Sequence, residues 1–317
     1  MFNINSGHGL QVANRLAQNL AGKVIFVAKS SVAFVDMYRQ IFGVDPDGKL
    51  RFAETIDTAV GLCTANGADT IYVAPGHTET ISSATALALD VAGITIIGLG
   101  NGNNRPTITL DTATTATIPV SAANITIKNM IFSANFADIV SFFTLTTAKN
   151  FTLDGCLFKA TAANMNCKYV VDTNATTADA DGLTIKDCVW IEPDTATETL
   201  VKMDGTNDSV VITGNRLVLG VKNNTPSLVA IATGKILTSA DIASNRVYRL
   251  NTDSATGALL VTTDGSTNTG FIRENRVQHA DTAGELLVTA SSGFGCFENR
   301  ASGVAGASGY LLPAADS

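Results

Sequence analysis

The chain has 317 residues, of which 15% are charged and 6% are aromatic, and its formal net charge is −7. An acidic chain offers no basic surface to a phosphate backbone, so this charge argues against nucleic-acid binding and against attraction to anionic membranes. Abundant turn formers and β-branched residues favour an all-β protein with short strands and tight corners.

Residues 1–52 are interpreted as a small α+β region for attachment and capping, and residues 53–317 as the main body. The segment GLQVANRLAQNL has the apolar spacing of a short helix, and GKVIFVA predicts a strand. The segment FVDMYRQIFGV is expected to present an apolar attachment surface that contains Phe34, Met37, Tyr38 and Phe42. The N-terminus lacks the pattern of a secretory signal, and no apolar stretch reaches 18 residues. We therefore expect synthesis in a cytosol-like compartment and no membrane span.

A second helix is predicted from about Thr55 to Thr64, followed by a strand from Thr70 to Ala74. Gly67 lies between them and marks the end of the helix. The open end of a stack of strands would otherwise pair with other chains. This helix is therefore predicted to cap the body.

An internal repeat of about 28 residues begins near Ile125. Each repeat holds a short alternating run, a polar kink and an apolar pair, as in ITIKNMIF, FTLDGCLF, LTIKDCVW and FIRENRVQ. A second alternating track, with LVKMDG and LVAIATG, runs out of phase with the first. Two strands or more in each repeat, with no helical period between them, predict a right-handed single-stranded parallel β-helix of about eight coils. Its predicted inward stack is Ile127, Leu153, Ile185, Ile212, Ile242, Ile272 and Cys296.

An Asn-Arg pair recurs at the kinks of the later repeats. Asn215, Asn245, Asn275 and Asn299 are predicted to adopt the left-handed conformation there and to form a hydrogen-bonded ladder between coils. Arg216, Arg246 and Arg276 would project beside this ladder. A scaffold explains the repetition better than catalysis does, because a catalytic site combines different residues in one place.

Phenylalanines are concentrated between Phe132 and Thr147. One coil interior holds few large side chains, so part of this group, with Phe136, Phe142 and Phe143, is predicted to form an intersubunit patch. The expected assembly is a homotrimer.

The order of the TIDTAV helix, GADTIYVAPGHTETI and ITIIGLGNGNNRPTI resembles the start of pectin-lyase-like β-helix proteins. The run from GKVIFVAKS through DPDGKLRFAETIDTAVGLCTANGADTIYVAPGHTETI is similar to β-helix structural proteins of tailed bacteriophages. This resemblance implies a virion component and a trimer. We expect a non-enzymatic decoration or cement protein bound to the major capsid protein or another virion protein. The alternative is a tail-spike or fibre module that binds or cleaves a surface polysaccharide, so a glycan partner stays open.

Residues for catalysis or metal binding are not grouped in the sequence. Asp204 and Asp264 would lie two coils apart, and the loop with Asp179 and Asp181 lacks the spacing of a known Ca²⁺ loop. The three histidines are scattered, and the five cysteines are interpreted as core residues. We therefore predict no catalytic residue, no metal and no cofactor.

Overall fold

The computed structural model describes residues 22–43, 48, 51–162, 164–192, 199–220, 228–249, 260–263, 267–278, 288, 293–302 and 309–310. Within these ranges the chain is an all-β, right-handed parallel β-helix of about eight turns with two short helices. The fold class predicted from the repeat is confirmed.

The helices are α1 (Val35–Phe42) and α2 (Ile56–Leu62), with one 3₁₀ turn at Gly102–Asn104. The strands, in chain order, are β1 (Val24–Val27), β2 (Phe52–Ala53), β3 (Thr70–Val73), β4 (Thr78–Ile81), β5 (Thr95–Gly98), β6 (Thr107–Leu110), β7 (Ile118–Val120), β8 (Thr126–Lys128), β9 (Ile131–Ala134), β10 (Ile139–Leu145), β11 (Thr152–Asp154), β12 (Leu157–Ala160), β13 (Cys167–Thr173), β14 (Thr184–Lys186), β15 (Val189–Glu192), β16 (Thr199–Met203), β17 (Asn207–Asp208), β18 (Val211–Thr213), β19 (Arg216–Leu219), β20 (Val229–Ile231), β21 (Leu237–Thr238), β22 (Ala240–Ala243), β23 (Arg246–Arg249), β24 (Val261–Thr262), β25 (Gly270–Arg273), β26 (Arg276–Gln278), β27 (Gly295–Phe297), β28 (Arg300–Ser302) and β29 (Gly309–Tyr310).

Three long sheets form the sides of the β-helix. The first sheet has the order β2-β1-β3-β5-β8-β11-β14-β18-β22-β25-β27, and the second has β29-β28-β26-β23-β19-β15-β12-β9-β6-β4. The third has β24-β20-β16-β13-β10-β7, and β17 pairs with β21 in a small extra sheet. Six successive coils, from β5 to β24, each contribute one strand to the first, second and third sheets in turn, whereas the coil of β3 and β4 reaches the third sheet only through an isolated bridge at Leu89. All pairings in the described coils are parallel except that of β28 with β29.

The predicted inward stack is confirmed by the register of the first sheet. Ile127 pairs with Leu153, Leu153 with Ile185, and the column continues in the order predicted to Cys296. The members from Leu153 to Ile272 are fully buried. Alternation along each strand places these side chains in the core and their neighbours on the outer face.

The corner between the first and second sheets differs from the prediction by one residue in the later coils. Asn129, Gly155 and Asp187 have the left-handed conformation, as the kink assignment requires. In the next four coils this conformation belongs to the preceding residue, at Gly214, Ser244, Glu274 and Glu298, with φ between 56° and 69°. The assignment of the left-handed conformation to Asn215, Asn245, Asn275 and Asn299 is therefore wrong. The side chain after the kink faces the core, and only there can these amides bond to one another.

The third sheet explains where the phenylalanines go. In five coils two consecutive residues in or next to the strand of this sheet are buried, in the pairs Phe142–Phe143, Val170–Val171, Leu200–Val201, Leu228–Val229 and Leu260–Val261. Consecutive side chains of a flat strand point to opposite faces, so the strand bends at this pair. Phe142 and Phe143 are both 0% exposed. Their assignment to an intersubunit patch is therefore wrong.

The interior is wide enough for a cluster of rings. Phe143 lies 5.0 Å from Phe132 and 5.3 Å from Phe151, and Phe142 lies 5.3 Å from Phe158, measured between ring centroids. Such tilted and edge-on contacts are the favoured geometries of aromatic pairs. The half-buried Phe136 also packs against this core.

The N-terminal region continues the first sheet. β1 lies between β2 and β3, so the strand predicted in GKVIFVA is confirmed. The predicted capping helix is confirmed as α2, which begins after Thr55, whose side chain accepts a hydrogen bond from the Thr58 N–H. α2 buries Ile56, Ala59 and Val60 against the core of the first coils. The helix predicted in GLQVANRLAQNL lies outside the described residues.

Candidate functional site

The corner between the first and second sheets is held by a buried column of asparagines. The Asn245 amide nitrogen donates to the Asn275 side-chain oxygen at 2.9 Å and to the Ile212 carbonyl at 2.8 Å. The Asn245 oxygen accepts from the Asn215 amide and from its backbone N–H, both at 3.0 Å. The pattern repeats between Asn275 and Asn299. Every amide in this column is at most 1% exposed, so the corner is rigid and dry.

Immediately after this ladder a column of arginines points outward. Arg216 pairs with Arg246, Arg246 with Arg276, and Arg276 with Arg300, along the first positions of neighbouring strands of the second sheet. All four arginines are exposed. Neighbouring strands lie about 4.8 Å apart. Two guanidinium charges about 5 Å apart repel by about 0.8 kcal/mol in water, so the column has a small standing electrostatic cost.

The members of the arginine column differ in their neighbours. The Arg216 guanidinium lies 5.7 Å from the centroid of the Tyr248 ring. The backbone N–H groups of Arg246 and Arg276 donate to Asn215 and Asn245, but their guanidinium groups make no ion pair or hydrogen bond among the described residues. Together with Ser244 and Glu274 these two arginines line a shallow depression of about 290 Å³.

The Glu274 carboxylate bonds to Ser244 and pairs with Arg273, and it makes no ion pair with Arg246 or Arg276 among the described residues. One of its oxygens accepts from the Ser244 hydroxyl at 3.0 Å, and the other lies 3.6 Å from an Arg273 guanidinium nitrogen. Glu274 therefore offsets the charge of Arg273, on the first-sheet side of the corner. The charges of Arg246 and Arg276 are left facing solvent.

On the first-sheet side of the same corner, two phenylalanines are exposed. Phe271 is 55% and Phe297 is 42% exposed, and their ring centroids lie 5.8 Å apart in an edge-on arrangement. Phe271 is in register with Asp241, and Arg273 with Phe297. Arg273 makes a two-bonded ion pair to Asp241, at 3.0 and 2.9 Å. Side chains alternate between the two faces of a strand, so the inward Ile272 and Cys296 place Phe271 and Phe297 on the outer face. This alternation is the sequence signal that could have identified the exposed phenylalanines.

Only part of the predicted N-terminal attachment surface is exposed, and the rest packs against β1. Phe34 is 74% and Met37 is 46% exposed, and Ile41 on the same helix is also 46% exposed. Tyr38 and Phe42 instead pack on Phe26, with ring centroids at 4.5 and 4.8 Å. The exposed apolar part is thus formed by Phe34, Met37 and Ile41.

Two carboxylates that the sequence did not bring together meet on the third sheet. The Lys202 ammonium lies 2.6 Å from Asp204 and 3.6 Å from Asp172. Burial alone would lower the pKa of Lys202, but the hydrogen bond to Asp204 and the charges of both carboxylates raise it. Asp264, the other member of the pair considered from the sequence, lies outside the described residues.

The acidic loop considered for Ca²⁺ is engaged in hydrogen bonds. Asp179 accepts from the Asn174 amide at 2.9 Å, and Asp181 accepts from the Asp208 N–H at 2.8 Å. In the described parts of the chain there is no group of three His, Cys, Asp or Glu side chains placed to hold a metal ion. Similarly, no helix in those parts has the length and apolarity needed to cross a membrane.

The described histidine, His77, is a structural group at the cap. Its Nδ1 accepts from the Lys29 N–H at 3.0 Å, so Nε2 carries the proton and donates to Glu79 at 2.7 Å. Glu79 also accepts from the Ile56 N–H at the start of α2, at 2.7 Å. His77 thereby ties α2 and the segment after β1 to the first coil. His8 and His279 lie outside the described residues.

The cysteines are packing residues in the described coils. Cys156, Cys167 and Cys188 are buried, as predicted, and Cys63 and Cys296 are half-buried. Burial raises the pKa of the Cys167 thiol well above its ordinary value, and the nearby Glu192 charge adds to the increase. Burial and the Asp69 charge raise the pKa of Cys63 to about 12, against a smaller lowering by Lys23. Such thiols are poor nucleophiles.

Comparison with known proteins gives structural likenesses only. No protein-family model and no curated protein sequence matches the chain. A tailspike protein mutant of E. coli bacteriophage HK620, in complex with a pentasaccharide, is similar with a TM-score of 0.37 and 11% identity, over 93% of this chain and 73% of the tailspike chain. A double mutant of that tailspike, also with a pentasaccharide, has a TM-score of 0.37 and 12% identity, over 98% and 70%. At these values neither likeness carries an argument about function.

Proposed function

We propose that this chain is a structural component of a bacteriophage virion, of the tailspike or fibre kind, that binds a bacterial surface polysaccharide along its β-helix. The observation that carries the proposal is the outer face of the first sheet at the last described coils. There Phe271 lies beside Asp241, and Phe297 lies beside Arg273.

This surface has the chemistry that a sugar ring requires. The exposed rings of Phe271 and Phe297 offer apolar faces to the C–H groups of a pyranose. The planar Asp241 and Arg273 groups can hydrogen-bond pairs of neighbouring hydroxyls. Both elements stand on rigid strands, which keeps the entropy cost of binding low.

The proposal is for binding without cleavage. Glycoside hydrolysis requires two carboxylates that flank the glycosidic bond at a separation of about 5–9.5 Å. Between Asp172 and Asp204 the Lys202 ammonium occupies the place where a glycosidic oxygen would have to lie. We expect no new reducing ends or unsaturated products when the protein is incubated with a polysaccharide that it binds, relative to a heat-killed control.

The test of binding is a titration of bacterial surface polysaccharides with purified protein, by calorimetry. Phe271→Ala is expected to weaken the affinity for a bound polysaccharide by about tenfold or more, because it removes one stacking face and its buried area. Phe34→Ala is the matched control, since it removes a phenylalanine that is even more exposed than Phe271 and lies near the other end of the described chain. Equal affinities for wild type and Phe271→Ala would refute the proposed surface, and failure of all polysaccharides to bind would refute the function.

The sequence resemblance to phage β-helix proteins also supports a homotrimer, which closed symmetry favours for soluble assemblies. Light scattering should then give a mass of three times 32.9 kDa. A mass of 32.9 kDa would contradict the trimer.

A decoration or cement protein that binds the major capsid protein is the second candidate. The exposed apolar group Phe34, Met37 and Ile41 favours it, because such a patch at one end suits attachment to a preformed shell. Both candidates locate the chain in the virion.

A further inference from the structure

Arg246 and Arg276 are exposed arginines to which the polysaccharide-binding surface proposed above gives no role. They are in register on neighbouring strands, and both are exposed. Neither guanidinium group has an ion-pair or hydrogen-bond partner among the described residues. The depression they line with Ser244 and Glu274 is open to solvent. A column of like charges at one-strand spacing gains stability when an anion lies between two of its members.

A second outward-facing pair of residues, beside the two arginines, adds side chains that can contact a sugar ring. Tyr248 and Gln278 are in register two residues after Arg246 and Arg276. Tyr248 is half-buried and Gln278 is exposed, so a phenol ring and an amide lie beside the two guanidinium groups on the same face. A simple inorganic anion would use only the arginines, whereas an acidic sugar would use all four side chains.

We propose that Arg246 and Arg276 bind an anionic group of an acidic polysaccharide, a carboxylate or a phosphate, with Tyr248 and Gln278 contacting its sugar. The inference rests on the proposed function and defines the substrate class as an acidic glycan. The guanidinium fork presents paired donors to either oxyanion. The chain as a whole has a net charge of −7, so an acidic polymer would be repelled from most of its surface and held at this column.

Glu274 is the one opposing charge in the depression. Its two oxygens are engaged by Ser244 and Arg273, at 3.0 and 3.6 Å, which draws its charge toward the first sheet. The Ser244 hydroxyl donates to Glu274 and is therefore not assigned to the ligand. Glu274→Gln is expected to strengthen binding of an acidic polymer by a few-fold, since it removes a negative charge beside the site.

The experiment measures the affinity of the full chain for three polymers: polyglucuronate, a glycerol-phosphate polymer and neutral dextran. The double variant Arg246→Gln/Arg276→Gln should lose about tenfold or more in affinity for the acidic polymer that binds, because two charge-assisted contacts are removed. The control variant Lys29→Gln/Lys168→Gln removes the same charge from two lysines without an ion pair among the described residues. It should change the affinity by less than about twofold, so that a general charge effect is excluded.

Each result distinguishes the possible ligands. Binding of polyglucuronate alone assigns a carboxylate, and binding of the glycerol-phosphate polymer alone assigns a phosphate. Retained affinity in the arginine double variant, or equal losses in the two double variants, would overturn the inference. Binding of neutral polysaccharides only, with sensitivity to Phe271→Ala, would overturn the inference while the proposed function stands. No binding of any polysaccharide would overturn both.

Discussion

Replacing Asn245 by alanine removes one rung from the middle of the buried asparagine column. The Asn245 side chain makes four hydrogen bonds, at 2.8, 2.9, 3.0 and 3.0 Å, and it is 0% exposed. Alanine leaves the Asn215 backbone N–H without the acceptor that it has in the native corner, and water cannot replace it. The Asn215 amide, the Ile212 carbonyl and the Asn275 side-chain oxygen each lose one bond as well.

The magnitude follows from these groups. An orphaned buried donor costs about 1–3 kcal/mol, and the remaining lost bonds contribute about 1 kcal/mol each. With three such bonds, we expect Asn245→Ala to reduce the free energy of unfolding by about 4–6 kcal/mol. The adjacent Ser244→Ala removes one hydrogen bond at an exposed position, and we expect a loss of about 0.5 kcal/mol.

Equilibrium unfolding in guanidinium chloride can be followed by the fluorescence of Trp190, the only tryptophan in the chain, which is 1% exposed. The two variants change neighbouring residues of one corner, of which Asn245 is buried and Ser244 is exposed. If Asn245→Ala lost no more stability than Ser244→Ala, the asparagine column would not be dry and fully bonded.

Two further predictions concern the core and its thiols. Ile242→Asp is expected to cost more than Asn245→Ala, about 6 kcal/mol or more, because a charge would lie unpaired at a 0% exposed position; the reverse order in thermal denaturation would contradict the inward stack. Cys63, with its pKa raised from 9.0 to about 12, keeps a proton in the folded protein that the unfolded chain releases above pH 9. The free energy of unfolding should therefore fall between about pH 9 and 12, and Cys63→Ser should remove part of this fall; an identical pH profile in the variant would exclude the contribution of Cys63.

The sequence predicted most of the coil geometry because alternation and repeat length are local signals. The inward stack from Ile127 to Cys296 follows directly from the period of two in each strand. The residue at the kink was harder to assign. Asparagine is the residue that usually tolerates the left-handed conformation, yet at the later corners Ser244, Glu274 and Glu298 adopt it. Hydrogen bonding between buried amides outweighs that local preference, and it depends on contacts about 30 residues apart.

The burial of the phenylalanines and the contacts between charged groups on neighbouring coils also could not be predicted from the sequence alone. No local pattern indicates that the strand bends at Phe142–Phe143, so the sequence alone predicts more phenylalanine rings than one coil interior holds. Asp172 and Asp204 are brought together by Lys202 across neighbouring strands, which a sequence without coil register does not reveal. The exposed Phe271, in contrast, could have been found by alternation from Ile272.

The location of the chain in the particle is the most direct test of the proposed function. Virions that contain the chain can be labelled with a gold-conjugated antibody against it and examined by electron microscopy. A tailspike or fibre protein predicts gold at the tail. Gold distributed over the capsid shell, or no gold on any virion, would contradict the proposal.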